Sequence, residues 1–285
     1  MVVSELEWST RPDVQRPILL AAFEGWFDAG EAATGAIDWI TQLYETEPIA
    51  YIDAETFFDF QQQRPLIHFD DQGHRQIEWP HSKATAANIE GANHDVVLVS
   101  GVEPHLRWNT FTESVTEIAS VVGAELVVTL GSNYGTVPHT RPPEVVGSST
   151  NRSLASRLGL GEPSYQGPTG VIGALHQRLD DAEIPVISLR VNTPHYVQGG
   201  HNPNATQALL RRLELICGFD TDAAGLDEEI VAWQNRVTEA VSEDVEVSQY
   251  VVMLEQQVDE SVEPLGGLGD LAAEVEAFLR ERNDE

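Results

Sequence analysis

The chain has 285 residues and a formal charge of -30, with 46 acidic side chains against 16 lysines and arginines. Such a field repels nucleic acid and anionic membrane surfaces, and its plainest effect is solubility. Lys83 is the only lysine and Cys217 the only cysteine, so an intrachain disulfide is impossible and lysine-dependent phosphate chemistry has no support. The length suits one large domain or two small ones, and 41% apolar residues suffice for a sizeable core.

The opening Met1-Val2-Val3-Ser4-Glu5 is polar and acidic, unlike a signal peptide. No apolar run reaches the length of a membrane span. The expected location is the cytoplasm, with no membrane partner and no nucleic-acid partner.

The first strong element is Arg16 to Phe23, a continuous apolar run suited to a strand buried on both faces. Glu24-Gly25-Trp26-Phe27 then turns the chain into a helix. Asp28 and Glu31 have the spacing of a capping box, and Ala32, Ala33, Ala36, Ile37, Ile40 and Leu43 form its apolar stripe. Further strands are expected at Ile49–Ile52, Asp95–Ser100, Leu126–Leu130, Val145–Val146 and Pro185–Val191. Leu66–Phe69 and Gln76–Trp79 flank Asp70-Asp71-Gln72-Gly73 and read as a hairpin. Helices are expected near 108–122, 153–158, 171–182 and 205–217, with an irregular proline-bearing stretch from Asn133 to Pro143. Strands alternating with helices predict a three-layer α/β/α fold with a mostly parallel mixed sheet over residues 1–218. Beyond Gly218 three narrow apolar stripes on acidic helices predict a helical C-terminal region, 219–285, broken at Gly266-Gly267-Leu268-Gly269.

In open α/β sheets ligands bind beyond the carboxyl ends of the strands. Four of the expected strands run into polar loops there: Glu24 to Asp28, Gly101 to His105, Pro138 to Pro142, and Asn192 to Tyr196. Their convergence makes Trp26, Asp28, Glu103, His139, Thr140, Arg141 and His195 candidate ligand-site residues. Each has a plain alternative. Asp28 suits a helix cap better than catalysis. Glu103 is a general base or, more often for a loop acid, merely solvated. His139 and His195 are acid–base groups or structural histidines. Arg141 clamps a ligand's anion or pairs with one of the many acids. Gly167-Pro168-Thr169-Gly170 opens a predicted helix, so Gly167, Thr169 and Gly170 form a candidate anion seat. Histidine spacing supports no metal site, no cofactor is implied, and the usual hydrolase, dehydrogenase and nucleotide-loop signatures are missing. Cys217, within an amphipathic helix, reads as a small core residue.

The order of these segments resembles the proteasome assembly chaperone 2 family. The resemblance rests on Gly25-Trp26-Phe27-Asp28-Ala29-Gly30, then Asp53 to Phe60 with Arg64-Pro65, then Trp79-Pro80. Gly101-Val102-Glu103-Pro104 with Trp108 follows, then Pro138-His139-Thr140-Arg141-Pro142, Gly167 to Gly170 and Pro194-His195-Tyr196. It spans roughly residues 16 to 217. It implies a phosphorylase/hydrolase-like three-layer architecture, a tendency to homo-oligomerise, and a protein-binding or assembly-chaperone role with a proteasome-related protein as partner. The alternative reading is a small-ligand binder or a hydrolase/phosphorylase-like enzyme with its site at the strand ends; no catalytic residue is assigned.

Overall fold

In the computed structural model, residues 5–261 and 271–283 are described. The expected break at Gly266–Gly269 lies outside them. In chain order the elements are β1 (Leu6–Trp8), β2 (Ile18–Glu24), α1 (Ala32–Leu43), β3 (Glu47–Ile52), α2 (Ala54–Phe57), β4 (Leu66–Phe69), β5 (Arg75–Glu78), β6 (Ser82–Ala87) and β7 (Val96–Val102). Then come α3 (Trp108–Val122), β8 (Leu126–Gly135), β9 (Val145–Ser148), α4 (Arg152–Arg157), α5 (Val171–Asp181), β10 (Val186–Pro194), α6 (Pro203–Cys217), α7 (Asp227–Ser242), α8 (Val245–Ser261) and α9 (Leu271–Asn283).

The main sheet has the order β1-β3-β6-β7-β2-β8-β10-β9. Its centre is parallel: β2 pairs with β7 and β8, and β8 with β10. Its flanks are antiparallel, through β6, β3 and β1 on one side and β9 on the other. β2 shows why its sequence is apolar at every position. Ile18, Leu20 and Ala22 enter the core beneath α1 and α6, whereas Leu19, Ala21 and Phe23 enter the opposite core with α3 and α5. Successive strand side chains point to opposite faces, so a doubly covered strand has no polar face to offer. The three-layer α/β/α architecture is thus the direct outcome of that run.

Two strands escape the sequence reading. β6, Ser82-Lys83-Ala84-Thr85-Ala86-Ala87, is rich in alanine, a poor intrinsic strand former, yet it is laddered on both sides by β3 and β7. β1 is only three residues long and pairs with the outer edge of β3. β8 also continues to Gly135, five residues past the expected end, because its ladder with β10 runs unbroken from Val127↔Val186 to Gly135↔Pro194. The hairpin β4–β5 forms as expected, outside the main sheet.

Of the C-terminal helices, α9 and the start of α7 share the main core. Leu271, Val275, Phe278 and Leu279 of α9 belong to the same buried cluster as Ile18 and Leu20. A polar tie reinforces this docking. Arg16 Nη2 lies 3.1 Å from both Glu125 and Glu276, and His94 hydrogen-bonds the Arg16 carbonyl through Nδ1 at 2.7 Å while its Nε2 faces Glu276. Cys217 is buried, and burial pushes its thiol up to about 12, so it packs as an apolar residue and is not a thiolate. No helix among the described residues is long and apolar enough to cross a membrane.

His176 on α5 carries a pH-dependent share of stability. Its Nε2 is 2.8 Å from Thr129 Oγ1 on β8, and burial, with help from Arg190, pushes it from 6.5 down to about 4. The unfolded chain therefore takes up this proton at a higher pH than the folded chain. The contribution is complete above pH 6.5 and is lost as pH falls from 6.5 towards 4. Urea titrations of wild type and His176→Gln at about pH 7.5 and about pH 4.5 are expected to show the wild type losing about 2 kcal/mol more on acidification. Equal losses would contradict this assignment.

Candidate functional site

The parallel direction of β2, β7, β8 and β10 brings all four polar loops to one rim of the sheet. On that rim the candidate residues do different things and fall into separate groups.

Asp28 is buried and serves the start of α1. Its Oδ1 accepts from Ala33 N at 2.8 Å and Thr34 N at 3.2 Å, and its Oδ2 accepts from the Thr34 hydroxyl. The cap reading of Asp28 holds, but the reciprocal box does not. Glu31 is exposed with φ 49, and the carboxylate reaches two residues beyond the expected amide. The same turn is stitched to β8: Ser132 N donates to the Phe27 carbonyl at 2.9 Å. The Phe27 ring packs against Gly131, where an added Cβ would come within 1.9 Å of it. This close approach explains why a phenylalanine in the first loop requires glycine on β8.

Glu103 links the first loop to α5. Its Oε2 accepts from Trp26 N at 3.2 Å and its Oε1 from Val171 N at 3.4 Å. Val171 is the first residue of α5, whose cap is Gly170. The anion presented to the predicted seat is therefore the protein's own carboxylate, which suits the exposed amides and dipole of a helix N-terminus. Gly25, at φ 150, takes a conformation that side-chain-bearing residues rarely adopt, and a Cβ there would meet Glu103 at 2.9 Å. Gly167 and Thr169 stand exposed beside this tie.

Trp26, Glu103, Thr169 and Gly170 line one open cleft of about 760 Å³, together with Glu24, Trp108 and Tyr165. Sequence reasoning missed the last three as cleft residues. Trp108 lies on α3 with its indole N–H donating to the Pro104 carbonyl at 2.7 Å. Trp26 is 89% exposed and Tyr165 74%. Tryptophan and tyrosine so placed were a usable signal, because exposed aromatic side chains cluster at contact surfaces.

His139, Thr140, Arg141 and His195 form a second group, roofed by α7 and α8. His139 is buried. Its main-chain N–H donates to the Tyr196 hydroxyl at 2.9 Å, its Nδ1 lies 2.9 Å from the same hydroxyl, and its Nε2 lies 2.9 Å from Thr238 Oγ1 on α7. Burial holds this imidazole below its usual pKa, opposed by the nearby Glu255 carboxylate. Burial also pushes the Tyr196 hydroxyl up to about 12. Both groups therefore stay neutral near pH 7 with their hydrogen bonds filled internally. Arg141 makes two 2.8 Å bonds to Asp259 of α8, and Thr140 donates to Glu255. His195 bonds the Gly135 carbonyl and packs edge-on against Tyr250. The residues that hold this group, Thr238, Tyr250, Glu255 and Asp259, lie far away in sequence and carried no local signal. Among the described residues no three His, Cys, Asp or Glu side chains stand together as a metal cage.

The fold is thus a three-layer α/β protein whose carboxyl rim is divided between an open aromatic cleft and a histidine cluster under the C-terminal helices. The PAC2 family model matches residues 22–241, and the chain belongs to that family. A PAC2 family protein from Streptomyces avermitilis is 40% identical, with a TM-score of 0.77 over 82% of this chain and 99% of that one. A proteasome-assembly chaperone homologue from Mycobacterium tuberculosis is 38% identical, with a TM-score of 0.74 over 82% and 99%. A second M. tuberculosis protein, of unknown function, is 27% identical with a TM-score of 0.78, and 99% of this chain aligns with 92% of it. No curated protein sequence matches the chain.

Replacing Glu103 by Gln keeps its size and removes the charge that holds two loops together. Hydrogen exchange at Trp26 and Val171 is expected to accelerate about tenfold, while the amides of β2 and β8 keep wild-type protection. Unchanged exchange at both amides would show that the tie does not hold the loops.

Proposed function

We propose that the protein binds other proteins as an assembly chaperone, that its partner is a proteasome-related polypeptide, and that it works in the cytoplasm as a homo-oligomer. The observation that carries this reading is the apolar surface standing in solvent on the open side of the rim. Every residue of β4 and β5 is exposed. Leu66 is 66% and Phe69 68% exposed, with Ile67, Ile77 and Trp79 also open, and Trp26 stands beside the same rim. The ring of Trp79 packs on Phe60 with centroids 4.8 Å apart, so the hairpin is anchored at its root and bare at its tip. Folded monomers rarely leave that much clustered apolar surface uncovered unless a partner covers it.

The 38% identity to a proteasome-assembly chaperone homologue supports the nature of the partner. The internal engagement of Glu103, His139 and Arg141 supports binding over catalysis, since a general base or an anion clamp needs free hydrogen-bonding capacity.

The test is affinity capture from the protein's own host followed by native mass spectrometry, with Trp26→Ala/Phe69→Ala as comparison. Both side chains are exposed, so the variant is expected to fold normally. The wild type should carry a second polypeptide from the proteasome system and more than one copy of itself, and the variant should lose most of the second polypeptide. A wild type that enriches no other polypeptide would overturn the reading.

A further inference from the structure

The cleft containing Trp26 does not end at that residue. Glu24, Gln63 and Val102 line both it and a neighbouring depression of about 520 Å³. Glu78, Trp79 and His81 in turn line both that depression and a third, of about 660 Å³. The three make one groove along the carboxyl rim, running from the start of α5, past the first loop, to the hairpin root and the ends of β1 and β3. Such a trough is longer than a small-molecule site needs.

Its chemistry repeats along its length. Aromatic rings occur in each part: Trp26 and Tyr165 at one end, Trp79 in the middle, Tyr51 and Phe60 at the other. Acidic side chains accompany them throughout, whereas the only lysine and arginine on its walls, Lys83 and Arg64, both sit in the central part. The two central carboxylates are unevenly compensated. Glu24 takes part in no ion pair among the described residues, and desolvation raises it above the usual carboxylate range with Asp28 and Glu31 adding to the effect, whereas Asp38, also raised chiefly by desolvation, is partly offset by Lys83 and His201. A cation placed beside them would relieve that cost, and an aromatic face is itself a cation acceptor.

We infer that this groove receives an extended segment of a partner protein in which lysine or arginine residues alternate with aromatic or large aliphatic ones. The inference rests on the partner-binding reading above and names the chemistry of the segment. Charge decides between occupants. Nucleic acid and acidic peptides meet carboxylates at every point. A second copy of this chain would bring another -30 to a groove already lined by carboxylates. A basic segment gains long-range attraction on approach and aromatic contact once seated.

The test measures peptide binding to the full-length protein by fluorescence anisotropy near physiological salt. The probes are a peptide of alternating Arg/Lys and Phe/Leu, the same peptide with Glu for each basic residue, and a basic peptide with Ser for each apolar one. The first is expected to bind, the second not, and the third at least about tenfold more weakly. Trp26→Ala and Glu24→Gln should each weaken the first peptide about five- to tenfold, whereas Glu228→Gln, which removes the same charge from the exposed start of α7, should leave it unchanged. Binding should also weaken as salt is raised. Equal binding of the acidic probe would overturn the inference, as would binding indifferent to both groove variants. So would a Trp26→Ala protein whose subunit number changes while no peptide binds, because the groove would then belong to a second copy. A host polypeptide that still co-purifies with Trp26→Ala and Glu24→Gln sinks the groove assignment and leaves partner binding standing.

Discussion

Everything on the rim depends on the four parallel strands at the centre of the sheet being buried on both faces. A strand with two buried faces must be apolar throughout, and parallel neighbours need covering helices between them, so their carboxyl ends all emerge on one side. β7, β2, β8 and β10 leave the core together, and every polar residue following them is delivered to the same edge. The clustering of Trp26, Asp28, Glu103, His139 and His195 segments is a consequence of that topology before it is a statement about function.

What the rim does with those residues is decided by shorter-range chemistry. Asp28 is consumed by the first turn of α1, and Glu103 by the amides of Trp26 and Val171. The two candidate acids thus fix the loops in which they sit. On the other half of the rim α7 and α8 close over His139 and Arg141, turning a candidate acid–base group and a candidate anion clamp into a buried neutral histidine and an ion-paired arginine. What remains open is aromatic and acidic.

The legible parts of the fold were those with strong local pattern. Ile18 to Phe23 could hardly be anything but a doubly buried strand, and the Asp70-to-Gly73 turn announced its hairpin. β6 was illegible because its alanines gain their strand conformation from β3 and β7 on either side, not from their own preference. The last residues of β8, Gly131 to Gly135, look like loop and become strand because β10 supplies a continuous partner. The four rim loops were readable from the expected strand ends. Their division into two groups was not, since it depends on Glu255 and Asp259, more than a hundred residues beyond Thr140 and Arg141. The apolar stripes of the C-terminal helices predicted that they pack, but a stripe carries no address for the surface it covers.

The central claim is that the open half of the rim, with Trp26 and the hairpin, is covered by another protein in the cell. Oxidative footprinting of tryptophan, read by mass spectrometry on the protein in host lysate and again after purification, addresses it directly. The account predicts that Trp26 and Trp79 are protected in lysate and become reactive once the protein is alone, while buried Trp233 stays unreactive in both. Equal labelling of Trp26 and Trp79 in the two settings would contradict it.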